Sequence, residues 1–274
     1  MPVIDCHVHT WINDPKFPWA PENTNPPRED ATAEMLLKHM DANGVEKTVI
    51  VQVIHYLWDN SYTSDCIKRY PDRFEGVCRV NPLDPEAPEH LTMWVEEHQF
   101  RGVRLSPSTN SDGDWIVDGT TDAIWKRARD LGVPMTILTG MTRMPDIQKM
   151  ADKNEGLTVV VDHMAFPDLE QTEQFSLLLD LADNPNVYVK VSGMWSPTRE
   201  EYPYRDCHDT WKRAYDAFGP QRLMWGTDWP VSESKLTYGQ ALELIRDKLE
   251  FLTEEDKKWI LGGTALKLWP FDRG

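Results

Sequence analysis

Cysteine is sparse in this 274-residue chain, and the four present, Cys6, Cys66, Cys78 and Cys207, form no C-x-x-C pair. That excludes a disulfide-built scaffold and a structural zinc ribbon, and it reads as reduced, buried thiols. Basic residues are also in deficit: 29 Lys and Arg against 45 Asp and Glu leave a net charge of −16. Such a surface repels phosphate backbones and anionic membranes, so neither nucleic acid nor a membrane is expected as a partner. No apolar run approaches membrane-spanning length, and the N-terminus enters its first strand without the basic and apolar regions of a secretion signal. A cytoplasmic location is the expectation. Also missing is any G-x-G-x-x-G or G-x-x-x-x-G-K-S/T after an apolar run, which disfavours a doubly wound nucleotide-binding sheet.

What the chain does have is core. Hydrophobic residues make up 40% of it, with 12 Trp, and the 20 Pro and 15 Gly lie at element ends rather than in a linker. One α/β domain over residues 1–274 is expected. A short apolar strand over residues 2–6 opens the chain. A Pro-rich loop over 11–29 follows, then a helix from 30 to 43 with Asp30 as its N-cap and Gly44 as its stop. The β-branched run 47–54 reads as a buried parallel strand. Helix-then-strand units recur six more times, with strands near 76–80, 102–105, 133–138, 157–163, 187–192 and 222–228. Helices over 237–251 and 253–261 close the chain. Eight strands alternating with helices are the mark of a single (β/α)₈ TIM barrel.

Active sites of such barrels lie at the C-terminal ends of the strands. Asp5-Cys6-His7-Val8-His9 places two imidazoles two residues apart, on one side of a pleated strand. A lone pair at this spacing arises readily by chance, so other residues must join it. The remaining strand ends supply Gln52 and His55, Arg79 and Asn81, Arg104 and Ser106, Thr139, His163, Lys190 and Ser192, and Asp228. His7, His9, His163 and Asp228 together offer neutral nitrogens and a hard oxygen suited to one divalent metal. Arg104 and Arg79 present guanidinium forks to a substrate carboxylate or a developing oxyanion, or else pair with an acid at the barrel mouth. Trp11, Trp195 and Trp229 flank these positions as pocket walls or as core.

Three separated motifs carry a family resemblance. Asp5-Cys6-His7-Val8-His9, Val160-Val161-Asp162-His163 and Gly226-Thr227-Asp228-Trp229-Pro230 resemble the first-, sixth- and eighth-strand signatures of the amidohydrolase superfamily. Tyr188-Val189-Lys190-Val191-Ser192-Gly193 and the Gly262-Gly263-Thr264 run are similar to its amidohydrolase-2 branch of sugar lactonases, pyrone-dicarboxylate lactonase and nonoxidative decarboxylases. The resemblance implies a hydrolase opening a lactone of an acidic small metabolite. Asp228 would be the general base, with His163 catalytic beside it and His7, His9 and His163 polarising the carbonyl directly or through one Zn²⁺ or Mn²⁺. Arg104, Arg79, Gln52, His55, Lys190 and Trp229 would contact an anionic small-molecule substrate. The fifth strand, ending Ile137-Leu138-Thr139, departs from the binuclear and decarboxylase pattern by lacking a His, so at most one metal is expected and metal-independent action stays open. A nonoxidative decarboxylase, a non-catalytic binding barrel and a homo-oligomer are the alternatives left standing.

Overall fold

A computed structural model describes residues 1–272. Eight parallel strands run in sequence order: β1 (Ile4–Val8), β2 (Lys47–Val51), β3 (Phe74–Arg79), β4 (Val103–Leu105), β5 (Met135–Ile137), β6 (Val159–Val161), β7 (Val187–Val191) and β8 (Leu223–Trp225). Short backbone contacts join the ends. His9 N donates to Trp229 O at 2.7 Å and Asp228 N to His7 O at 2.8 Å, so the sheet closes between β8 and β1 beside the candidate site. This is a (β/α)₈ barrel.

The helices are α1 (Ala33–Asn43), α2 (Ser61–Arg69), α3 (Ala87–Glu96), α4 (Asp122–Asp130), α5 (Met144–Lys153), α6 (Ser176–Leu179), α7 (His208–Phe218), α8 (Tyr238–Glu243), α9 (Glu254–Lys258) and α10 (Thr264–Leu268). Three expectations need correction. The N-cap of α1 is Thr32, whose hydroxyl accepts from Met35 N. Asp30 instead accepts from Asn13 N and holds the preceding loop. The helix that the alternation calls for between the strands near 157–163 and 187–192 is a chain of single turns, of which only Ser176–Leu179 is α-helical. The helix expected over 237–251 ends in a π-turn at Leu244–Lys248, and the one expected over 253–261 passes through a π-turn at Trp259–Gly263 into α10.

Side chains from six strands, among them Ile4, Cys6, Val49, Val77, Val160 and Met224, fill the barrel interior as one cluster. Trp269, buried just after α10, belongs to that cluster too. In β1 the pairing with β2 slips: Asp5 faces Thr48, whereas Val8 faces Ile50. The extra residue is a bulge. Ile4 and Cys6 point into the barrel, and strict alternation would turn His7 away from it. The bulge restores His7 and His9 to the inner side, as bulges beside functional sites commonly do.

Candidate active site

His7 and His9 come from the end of β1, and Asp228 lies three residues past β8. His9 Nε2 is 3.5 Å from Asp228 Oδ1 and His7 Nε2 is 3.8 Å from the same oxygen. One ligand atom from each of the three residues lies within 4.8 Å of the others, and all three residues are buried.

The far side of each ring fixes what the near side can offer. His9 Nδ1 donates to Val51 O at 2.7 Å, which leaves its Nε2 with a bare lone pair. His7 Nδ1 lies 3.1 Å from Lys190 Nζ and 3.3 Å from Asp162 Oδ1, while its Nε2 is buried with no hydrogen-bond partner. Burial, and then the Lys190 charge, hold His7 well below the ordinary imidazole range, so the ring is neutral. Asp228 is held below the usual carboxylate range: burial works against this, but His163, His9 and His7 outweigh it. Two ring nitrogens and a carboxylate oxygen from three buried residues thus converge on one point, an arrangement that suits a cation. Ligands of a tetrahedral zinc, with bonds of about 2.0–2.1 Å, stand about 3.3 Å apart, close to the spacing seen. The set fits one divalent metal.

His163, expected as a fourth ligand, stands outside this convergent trio. Its ring centroid is 4.5 Å from that of His7, and its Nδ1 bonds Ser192 Oγ at 2.8 Å. The backbone after β6 is left-handed at four consecutive residues. His163, Met164, Ala165 and Phe166 all have φ between 50° and 57°, a left-handed turn closed by Phe166 N donating to His163 O. Each such non-glycine residue is uphill by about 1–2 kcal/mol. Gly193 packs against the ring, where a Cβ would sit 3.1 Å from His163 Nδ1.

Three expected substrate contacts are elsewhere. Gln52 donates to Asp59 O and accepts from Thr63 Oγ1, bracing the end of β2 against α2. Lys190 is wholly buried and engages Asp162 and His7 from below. The Trp229 ring packs 5.6 Å from that of His39 on α1, outside the barrel, so only its backbone serves the site. His55 is half-buried between Trp11 and Trp19, each edge-on to it, with Asn23 Nδ2 3.3 Å from its Nδ1. Arg104 Nε lies 3.1 Å from Asp162 Oδ2, whereas among the described residues no carboxylate lies within ion-pair distance of Arg79.

Two carboxylates central to the site carried no assigned role in the sequence reading. Asp162 is fully buried among His7, Lys190 and Arg104. Asp5 accepts from His7 N, Thr227 N and Thr227 Oγ1, stapling β1 to the end of β8. Burial pushes the Asp5 carboxyl up to about 6 against those hydrogen bonds. Both residues stand inside the motifs that carry the site histidines. An acid at a buried strand end was the available signal.

Comparison with known proteins bears on the same site. A family model described as amidohydrolase matches residues 4–271. An L-fucono-1,5-lactonase from Burkholderia ambifaria is 28% identical, over 98% of this chain and 96% of that protein. A 2-pyrone-4,6-dicarboxylate hydrolase from Comamonas testosteroni is 29% identical, over 83% of this chain and 76% of its own length. An amidohydrolase from Burkholderia multivorans, solved with bound zinc, superposes with a TM-score of 0.79 at 23% identity, covering 98% of this chain and 99% of that one. This last likeness is one of fold.

Proposed function

The chain belongs to the amidohydrolase family, and from that premise we propose that it opens the ring of a small lactone by water attack. The observation that carries the reading is the meeting of His7, His9 and Asp228 at the closing seam of the barrel. Its relatives named as a fuconolactonase and a pyrone-dicarboxylate hydrolase both act on lactone-type rings by their names.

In this reading Asp228 is the general base. Its depressed carboxyl is ionised at neutral pH, ready to take a proton from water and to return it to the leaving ring oxygen. The hydroxyl of Ser192, donating to His163 Nδ1, would leave His163 Nε2–H as a donor to the lactone carbonyl. His7 and His9, with Asp228, would hold one divalent ion, zinc or manganese. Such an ion supplies Lewis acidity at the carbonyl and a more acidic water. Lys190 Nζ at 3.1 Å and Asp162 Oδ1 at 3.3 Å flank His7 Nδ1 and hold the ring in place, and an ion held through Nε2 would put the ring proton on Nδ1, towards Asp162. Nonoxidative decarboxylation would have Asp228 deliver its proton to carbon, and no observation at the site favours it.

The test is acid release from a panel of sugar-acid and pyrone lactones, followed at constant pH against the uncatalysed rate. Turnover of any lactone that vanishes in Asp228→Asn supports the reading. Inactivity on all of them, with turnover of an aromatic acid to carbon dioxide, would replace it.

A further inference from the structure

We propose that Thr227, acting through the Asp5 carboxylate, is a positioning residue that sets His7 and Asp228 at the spacing a metal ion needs. The proposal rests on the reading of His7, His9 and Asp228 as the holders of one divalent ion.

The trio straddles the seam where the barrel closes. Successive strands from β1 to β8 are joined by parallel ladders, whereas among the described residues β8 and β1 meet only through the isolated bridge between Val8 and Trp229. His7 and His9 stand on one side of that seam, and Asp228 stands on the other. Two backbone hydrogen bonds cross it, from Asp228 N to His7 O and from His9 N to Trp229 O. They hold the two segments at one level, so any splay beneath them would change the gap between His7 and Asp228.

Asp5 adds a side-chain clasp across the same seam. Its Oδ1 accepts from His7 N at 3.1 Å and from Thr227 N at 3.0 Å, so one oxygen grips both segments beside the residues that bear the ligands. Its Oδ2 accepts from Thr227 Oγ1 at 2.6 Å, a short hydroxyl–carboxylate bond of the charge-assisted kind. The same hydroxyl accepts from Trp229 N at 3.0 Å. A hydroxyl has one proton to give and two lone pairs. Thr227 thus spends its proton on Asp5 and a lone pair on the backbone beyond Asp228.

Asp228 is the residue this clasp encloses. Its φ is 61°, in the left-handed region, uphill by about 1–2 kcal/mol for a residue with a Cβ. Such a conformation persists only where its surroundings over-determine it. Here the three consecutive N–H groups of residues 227, 228 and 229 are tied to Asp5, His7 and Thr227 in turn. Asp5 and Thr227 are both buried, and they reach the trio through its backbone.

The experiment measures zinc affinity of the full chain by competition with a chromogenic chelator, together with kcat on a hydrolysed lactone. Thr227→Val keeps the shape and removes the hydroxyl, so zinc binding should weaken about 10- to 100-fold and kcat should fall by a similar factor, with KM little changed. Thr227→Ser returns the hydroxyl and should return both. Thr48→Val is the control: the buried Thr48 hydroxyl donates to the Asp5 backbone carbonyl at 2.7 Å from the β2 side, so its loss should lower stability without moving zinc affinity. Unchanged zinc affinity in Thr227→Val, an equal loss in Thr227→Ser, or the same loss in Thr48→Val would each overturn the proposal. If no lactone reacts, the lactonase reading falls and zinc affinity alone decides the positioning role. Wild-type protein that binds no zinc would overturn the proposal and leave the lactonase reading to its own test. If Thr227→Val does not fold, Asp5→Asn decides it. The carboxamide still accepts from His7 N and Thr227 N but exchanges the charge-assisted bond for a neutral one, so zinc affinity should fall about 3- to 10-fold. Unchanged affinity there would count against the clasp.

Discussion

Asp162 Oδ1 lies 3.0 Å from Lys190 Nζ, and neither side chain has any exposed surface. The pair forms a charged floor under His7, and Arg104 completes it from the neighbouring side. The expected role of Lys190 as a substrate contact gives way to this one: it is the counter-charge that lets an aspartate sit ionised beneath a neutral imidazole.

Asp162→Asn should therefore destabilise the fold by about 3–5 kcal/mol, because Lys190 and Arg104 remain buried without their acid. Burial alone would raise the Asp162 carboxyl, but Lys190, His7 and Arg104 hold it well below 3.8. A depressed carboxylate contributes stability that is fully present above the unfolded value and is lost as pH falls through the folded one. Urea unfolding at pH 7 measures the cost, and the gap between wild type and variant should narrow only in strong acid. A loss of under 1 kcal/mol at pH 7 would show that the floor is not structural.

Replacing Asp228 with Asn keeps the volume and most hydrogen bonding while removing the base. Steady-state kinetics on a hydrolysed lactone should show kcat lower by about 10²- to 10⁴-fold, with KM little changed. Near wild-type kcat would rule out the general-base role.

Elemental analysis of purified protein should find at most one tightly bound divalent metal per chain. His7, His9 and Asp228 converge as one trio, and the polar side chain just past β5 is Thr139, whose hydroxyl is already given to Pro107 O. His7→Ala should lower that occupancy, and chelation should reproduce its loss of rate. Two equivalents resistant to dialysis would contradict the single-site geometry.

Gly226 is needed for space rather than for backbone freedom. A Cβ there would lie 2.7 Å from His7 Cβ and 3.0 Å from His7 N. Gly226→Ala should push His7 off its position, and a shift of this kind in a catalytic constellation can cost about 10²-fold in rate. Circular dichroism and kcat together separate this from unfolding, since intact secondary structure with unchanged kcat would disprove the steric account.

The β-branched runs made the strands legible, and hence the barrel, because their flanking polar residues mark where each strand ends. Strand ends also exposed His7, His9 and Asp228. What stayed hidden depended on phase and partner. The bulge in β1, the outward turn of Trp229 and the bracing role of Gln52 follow from contacts with α1, α2 and β2, which no local pattern encodes. In the sequence Asp162 is only a carboxylate next to a histidine, with nothing local to mark it as a charged centre. Its importance appears only when residues 7, 104 and 190 are brought around it. The broken helices near 176 and 244 show the same limit, since tertiary packing there overrides apolar periodicity that favours longer runs.

The left-handed turn from His163 to Phe166 gives the molecule an untapped reserve of robustness. Glycine at Ala165 would adopt the same backbone without the steric cost of a side chain, which should raise the melting temperature by an amount equivalent to about 1 kcal/mol. The same change would widen the range of positions open to the His163 ring and lower kcat. Directed evolution for heat resistance should find this position early, whereas selection for turnover should keep returning it to alanine.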